Sequence, residues 1–257
     1  MIRFFRQIRQ QLLTDNPPDK ASRAGKFSKY LLYAVGEILL VVIGILIALQ
    51  VNNWNEERKS ILNEREVYKR ILKDLQIDEG RIKDHLVYYT EDQSMHHHIY
   101  RETQGFTVND TAVEYGRLRT TLIFTLIIKA NYSETTEEIS NVRIREKLDN
   151  YFNLETHVHD AFEHIYTFKN DELKPFLSKY GINNTGELFD NLQKNYFELR
   201  ENDIISYPKL KERYGTVEFD QLLFNLGIKT SWALAALQDL LAANEDLQIV
   251  LNNELNR

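Results

Sequence analysis

The chain has 257 residues, no cysteine and a net charge of −6. Lack of cysteine excludes a disulfide framework, a thiolate metal site, a cysteine nucleophile and a thioether-linked lipid. Residues 1–29 hold seven Lys/Arg against two Asp/Glu, so a +5 tail precedes a −11 body, and so acidic a body argues against nucleic acid as a partner.

The tail comes first. Residues 2–13, IRFFRQIRQQLL, put Phe4, Phe5, Ile8 and Leu12 on one side of a helix and Arg3, Arg6, Gln7 and Gln10 on the other. That is an interfacial amphipathic helix in outline, or a basic tail that only sets orientation. Asp15, Asn16, Pro17 and Pro18 break any helix there. Arg3, Arg6, Lys20, Arg23, Lys26 and Lys29 are the candidate contacts to anionic lipid headgroups.

From Leu31 to Val51 the chain reads LLYAVGEILLVVIGILIALQV, with only Glu37 charged, long enough as helix to span about 30 Å of hydrocarbon. Tyr30 and Tyr33 on one side and Trp54 on the other suit an aromatic belt, and the basic flank predicts the N-terminus inside. A cleavable signal peptide competes with this reading. Against it stand the long basic region, the extension of the apolar run up to Leu31, and an exit sequence, ALQVNNWNEE, without the small-residue pattern of a cleavage site. Glu37 either reaches headgroup level, about 10 Å along the axis from Tyr30, or pairs in the membrane. Gly44 and Ala48, with Gly36 on the earlier turns, offer a small-residue face for close helix association and hence a homo-oligomer.

Beyond the membrane, NNWNEERKS lacks Pro and Gly, so the helix is expected to continue outward. Trp54, Ile61, Tyr68, Leu75, Ile82 and Tyr89 recur every seven residues, with Ile71, Leu72 and Leu86 beside them, as in a long helix that packs one stripe on its own domain. It should end near Gln104-Gly105. A second helix is expected from about Thr111 to Ala130, around the buried run LIFTLII, and a third from Asn141 to just before Pro175, with Ser133 to Glu137 as a further capped start. A Gly181–Gly186 loop, a helix over roughly Glu187–Glu201, a loop at Tyr207-Pro208 and a last long helix from about Val217 to Leu255 complete an all-α chain of about five extramembrane helices. The organisation read is a cytoplasmic tail over 1–29, a transmembrane helix over 30–52 and an extracytoplasmic helical bundle over 53–257.

Lys29 to Lys59, KYLLYAVGEILLVVIGILIALQVNNWNEERK, resembles the opening signature of an uncharacterised bacterial membrane-protein family found largely in Bacteroidota, and RFFRQIRQQLL resembles its usual start. Asn131 to Phe152 looks like a diverged form of a later family region, with Ser140-Asn141 in place of the usual Ser-Gly turn. The resemblance implies a membrane-anchored helical protein and brings no catalytic residues.

Candidate chemistry is sparse. His157, Asp160 and His164 are spaced i, i+3 and i+7, one face of a helix, as a helical metal site requires, but no HExxH or other motif with a known mechanism accompanies them, and paired surface charges give the same pattern. His96, His97 and His98 are consecutive, splayed about 100° apart, and expected on a solvated face. No G-x-S-x-G, GxxxxGK[ST] or GxGxxG occurs. No cofactor is expected. Three readings stay open: a non-enzymatic membrane-anchored interaction or sensory module in the inner membrane with a periplasmic body; a metal-binding protein or metal-assisted hydrolase on the 157–164 face; and an accessory subunit of an envelope complex.

Overall fold

A computed structural model describes residues 23–106, 113–192 and 204–256. Among them there is no strand, only one isolated antiparallel bridge between Asn183 and Ile205. The chain divides into two compact units, Met1–Leu62 and Asn63–Arg257. One 81-residue helix, α1 (Arg23–Thr103), contributes to both.

In the first unit α1 is the only described element. It is the one helix among the described residues long and apolar enough to cross a membrane, and none of its most apolar window is buried. Leu32, Ile38, Leu46 and Val51 are among its exposed aliphatic side chains. A stripe-patterned surface helix hides its apolar residues against protein; this segment is apolar all round and hides none, the pattern of a helix whose solvent is hydrocarbon.

The second unit is built on three long helices: α1 from Asn63 on, α3 (Val142–Phe168) and α7 (Val217–Leu255). The seven-residue repeat becomes the core from Tyr68 onward: Tyr68, Ile71, Leu75, Ile82 and Tyr89 are buried against Ile144, Leu148, Tyr151, Val158 and Phe162 of α3 and Leu237, Leu240, Leu247 and Leu251 of α7. Trp54 and Ile61, earlier in the repeat, are exposed. Side-chain ties fix the directions. Glu64 meets Ser140, Asp78 meets Tyr151 and Asp92 meets Lys169, so α3 runs parallel to α1. Arg65 meets the Leu255 carbonyl, Glu79 meets Gln248 and Gln93 meets Ser231, so α7 runs antiparallel.

Two parallel neighbours need a return connection, and it lies where a second long helix is expected from the sequence. Instead of a helix over Thr111–Ala130, the described part holds a 3₁₀ turn (Tyr115–Leu118), an irregular stretch over 119–127 and a five-residue helix, α2 (Ile128–Tyr132). The reason is reach. This strap pairs with α1 from Tyr115 beside Glu102 down to Ser140 beside Glu64. That length of α1 is about 57 Å, and as helix the strap would cover only about 38 Å. β-branched residues at Thr120, Thr121, Ile123, Thr125 and Ile127 favour the extended form.

The strap's backbone groups, which cannot pair within a sheet, are met by side chains. Arg81 donates to the Thr125 carbonyl, His85 Nε2 lies 3.3 Å from that of Ile123, Tyr89 donates to Leu122 and Lys169 to Thr120. After it a 3₁₀ turn (Thr136–Glu138) stands where Ser133–Glu137 suggests a capped helix, and no side chain caps it. Asn141 is the true cap of α3, its Oδ1 accepting from the N–H groups of Arg143 and Ile144.

Nor does the helical path stop before Pro175. It widens into a π turn (Lys169–Leu173) and continues as α4 (Lys174–Lys179), with Pro175 in the first turn of α4. A proline lacks an N–H and clashes with the carbonyl four residues back, and a wider turn just before it relieves both. Gly181, at φ +64°, makes the exit, and α5 (Thr185–Leu192) starts inside the stretch read as a loop. Tyr207-Pro208 opens a short helix, α6 (Tyr207–Lys211), where a loop is expected. A second apolar cluster, including Met95, Ile99, Phe168, Phe176, Ile205 and Phe219, closes this end of the bundle.

Candidate functional site

The sequence-derived site residues fall in three places. Gly36, Glu37, Gly44 and Ala48 lie on the exposed apolar part of α1. A Cβ added at Gly36 or Gly44 would meet nothing, so both leave open backbone on the helix surface. Seven residues are two helical turns, so Glu37 shares its side with Gly44. Arg23, Lys26 and Lys29 fall on the first turns of α1; Arg3, Arg6 and Lys20, and with them the amphipathic reading of residues 2–13, lie outside the described residues.

His157, Asp160 and His164 are exposed on one face of α3, as their spacing requires. Among the described residues no group of three or more His, Asp or Glu is placed to hold an ion. Replacing His157 and His164 together by Ala should leave the melting temperature of the purified protein within the change expected of about ±0.5 kcal/mol, because neither side chain is buried. A larger loss in a thermal melt would give this face a structural or ligand-holding role. Glu155, two residues before His157 on α3, points the other way. It is fully buried, and its carboxylate accepts from the backbone N–H groups of Ile127 (3.0 Å), Ile128 (3.1 Å) and Lys129 (2.6 Å), where α2 begins. Burial pushes its carboxyl above the ordinary range, against the pull of those N–H groups.

The concentration of buried polar groups lies on α1 where a solvated histidine face is expected. His96 and His98 are buried, and only His97 is exposed. On the same side of α1, Asp92 is fully buried and meets Lys169, also fully buried, at the start of the π turn. Lys169 Nζ lies 3.3 Å from Asp92 Oδ2 and donates to the carbonyls of Arg117 (2.8 Å) and Thr120 (2.6 Å). Asp92 Oδ1 faces the Arg117 guanidinium at 3.6 Å, beyond hydrogen-bond length. Arg117 in turn lies over the Tyr88 ring and pairs with Glu91 and Glu114. Burial pushes the Asp92 carboxyl up, while Lys169 and Arg117 oppose it. Lys169 thus acts as a structural tie, joining the strap's carbonyls and Asp92 to the end of α3.

Beside this pair the His96 ring has no hydrogen-bond partner on either nitrogen among the described residues. Burial, helped by the nearby Lys169 charge, lowers its pKa to about 3, so the ring is neutral in the fold. In the unfolded chain it titrates near 6.5. Between these values the unfolded state binds the extra proton, so this residue's contribution to stability is whole above pH ~6.5 and is lost as pH falls, by about 1.4 kcal/mol per unit. Urea unfolding of wild type and His96→Phe at pH 7, 6, 5 and 4 should show the variant gaining on wild type at each step down. Parallel pH dependence in the two proteins would refute a buried neutral His96.

Farther along α1, Glu102 accepts from three tyrosine hydroxyls: Tyr214 at 2.8 Å, Tyr115 at 3.2 Å, and Tyr207. His98 Nε2 lies 3.8 Å away. Burial works against the carboxylate's charge, but the tyrosines outweigh it and hold its pKa below the ordinary range. One carboxylate therefore gathers the end of α1, the strap and the 207–214 segment. An open groove of about 540 Å³ runs between α4 and the start of α7, with Glu172, Pro175, Lys179, Glu218 and Gln221 among its lining. Lys179 and Tyr180 both bind Glu218 at its rim, at 3.1 and 2.6 Å. Histidine and serine are absent from its lining.

Sequence reasoning missed Asp92, His96 and Lys169. A signal for the first two existed: continuing the buried stripe from Tyr89 by three and four residues gives Asp92, His96 and Ile99. No curated protein and no solved structure matches the chain. Residues 37–98, from Glu37 in the apolar segment to the histidines beside Asp92, match the model of a family of unknown function (DUF6090).

Proposed function

We propose that the protein is a single-pass membrane module of the inner membrane, with its basic N-terminus in the cytoplasm and the Asn63–Arg257 unit as a periplasmic interaction domain without chemistry of its own. The observation that carries this reading is the apolar stretch of α1, exposed on all sides over a length that matches the hydrocarbon layer. The +5 tail before it and the −11 body after it support the orientation. The non-enzymatic reading is supported by the fate of the buried carboxylates and lysine: Asp78, Asp92, Glu155 and Lys169 are each held in hydrogen bonds or ion pairs that join helices and strap. Arg23, Lys26 and Lys29, with Arg3, Arg6 and Lys20, supply the headgroup contacts, and the Gly36/Gly44/Ala48 side with Glu37 supplies a packing face inside the bilayer.

Alkaline carbonate extraction of native membranes, with the intact mass of the extracted chain, tests the anchor. The full-length protein should stay in the pellet. Release into the supernatant, or loss of the segment up to Val51, overturns the reading in favour of a cleaved signal peptide. Alkaline phosphatase fused after Arg257 should be active, and an inactive fusion in an intact chain would reverse the orientation.

A further inference from the structure

α7 is apolar on two opposite sides in its first half. Its inner side carries Phe219, Leu222, Leu226, Ala233 and Leu237, all buried. Half a turn away, Val217, Phe224, Ile228 and Ala235 line the outer side at seven- and four-residue spacings, with Trp232 adjoining. Phe224 is 62% exposed, Trp232 65% and Ile228 41%. A helix apolar all round is ordinarily covered on both sides, and the bundle covers only one. In the second half of α7 the same outer side becomes more polar, with Asp239, Asp246 and Asn253 beside Ala242 and the exposed Ile249.

We propose that this outer face of α7, from Val217 to Ala235, is where a second copy of this chain docks. Three observations select that occupant. Between Val217 and Ala235 the outer side holds Gln221 and Ser231 besides the apolar residues, with Asp220 as the one charge at its edge. A copy can therefore meet it with little like-charge repulsion, although the whole chain is net negative. A lipid surface would want Lys or Arg along the flanks of such a stripe and a polar opposite face, whereas the opposite face here is core. Finally, the area is in range. Phe224 and Trp232 expose on the order of 100–160 Å² each. With the rest of the stripe, two copies face to face bury roughly 1,000 Å², the lower bound for a specific contact. Ser231 and Ala235 are small, and a Cβ at Gly227 would meet nothing, so neighbouring helices can approach closely.

A contact of that size is weak between freely diffusing molecules. Its strength here rests on the membrane reading above, since copies confined to one membrane meet at high effective concentration. The chain's lack of cysteine makes the test direct. Full-length protein bearing Ile228→Cys is oxidised in native membranes. It should form a disulfide-linked dimer, and Asn253→Cys, on the same side of the polar half, should form at least tenfold less. Adding Phe224→Glu and Trp232→Glu to Ile228→Cys should abolish the dimer with helical circular dichroism unchanged. Val217→Cys, at the end of the face, reads orientation: a dimer there means parallel α7 helices, and its absence beside a dimer at 228 means antiparallel ones. Equal crosslinking at 228 and 253, none at 228, or a product of another mass overturns the proposal. Carbonate extraction of the same sample keeps the two readings apart, because a dimer in a chain that carbonate releases sinks the anchor alone.

Discussion

Lys169→Met should destabilise the Asn63–Arg257 unit by about 3–5 kcal/mol, the usual loss when one partner of a buried ion pair is removed. The variant strips Asp92 of its closest cation and takes the Lys169 amine from two strap carbonyls, Arg117 and Thr120. Asp92→Leu combined with Lys169→Met should recover part of that loss, because the buried charge goes while the two Lys169 hydrogen bonds stay lost. Urea unfolding of the detergent-solubilised full chain reads these two variants and Asp92→Leu alone as a double-mutant cycle. The deficit of the single variant should also shrink as pH falls toward 4. A carboxyl left alone in the interior takes up its proton at higher pH than in the unfolded chain, so the folded variant is favoured by acid. A Lys169→Met protein within 1 kcal/mol of wild type would mean that this cluster is not what binds the strap to α3.

The second large effect is expected at Glu155. Glu155→Ala removes the acceptor for three backbone N–H groups at once, and hydrogen bonds to a charged group contribute about 1.5–3 kcal/mol each. With some rescue by water, a net loss of about 3–5 kcal/mol follows. Glu155→Gln should cost less, since one amide oxygen can still serve Ile127 and Ile128 while its NH2 faces the Lys129 N–H. Amide exchange gives a local reading: Ile127, Ile128 and Lys129 should exchange much faster in the Ala variant than the α3 core around Leu148. Uniform acceleration through the whole unit would assign the loss to packing instead.

These two residues mark where sequence reading stops. The all-α class, α7 with both its ends, the start of α3 at Asn141 and the core stripe of α1 were legible, because each rests on local chemistry or on a period within one helix. The strap was not. LIFTLII suits helix or extended chain equally by composition, and the choice is made by Arg81, His85, Tyr89, Glu155 and Lys169, all remote in sequence, and by the distance the return connection must cover. The π turn escaped for a similar reason, since Pro175 signals a disturbance but not whether a helix ends or widens. Polarity alone points the histidines outward, while His96 stands on a stripe that burial of Tyr89 and Ile99 carries inward.

The strap has a consequence for how the domain can move. Its contacts with α1 and α3 run from Glu64 to Glu102, and most join a side chain on a helix to a single backbone or hydroxyl group on the strap. A one-turn slide of α1, about 5.4 Å, would break all of them together. Sliding is therefore an all-or-none event within this unit, not a graded one. Rotation or bending of the bundle as a block leaves these contacts intact, so the strap acts as a pawl that keeps the helices of this unit at one notch.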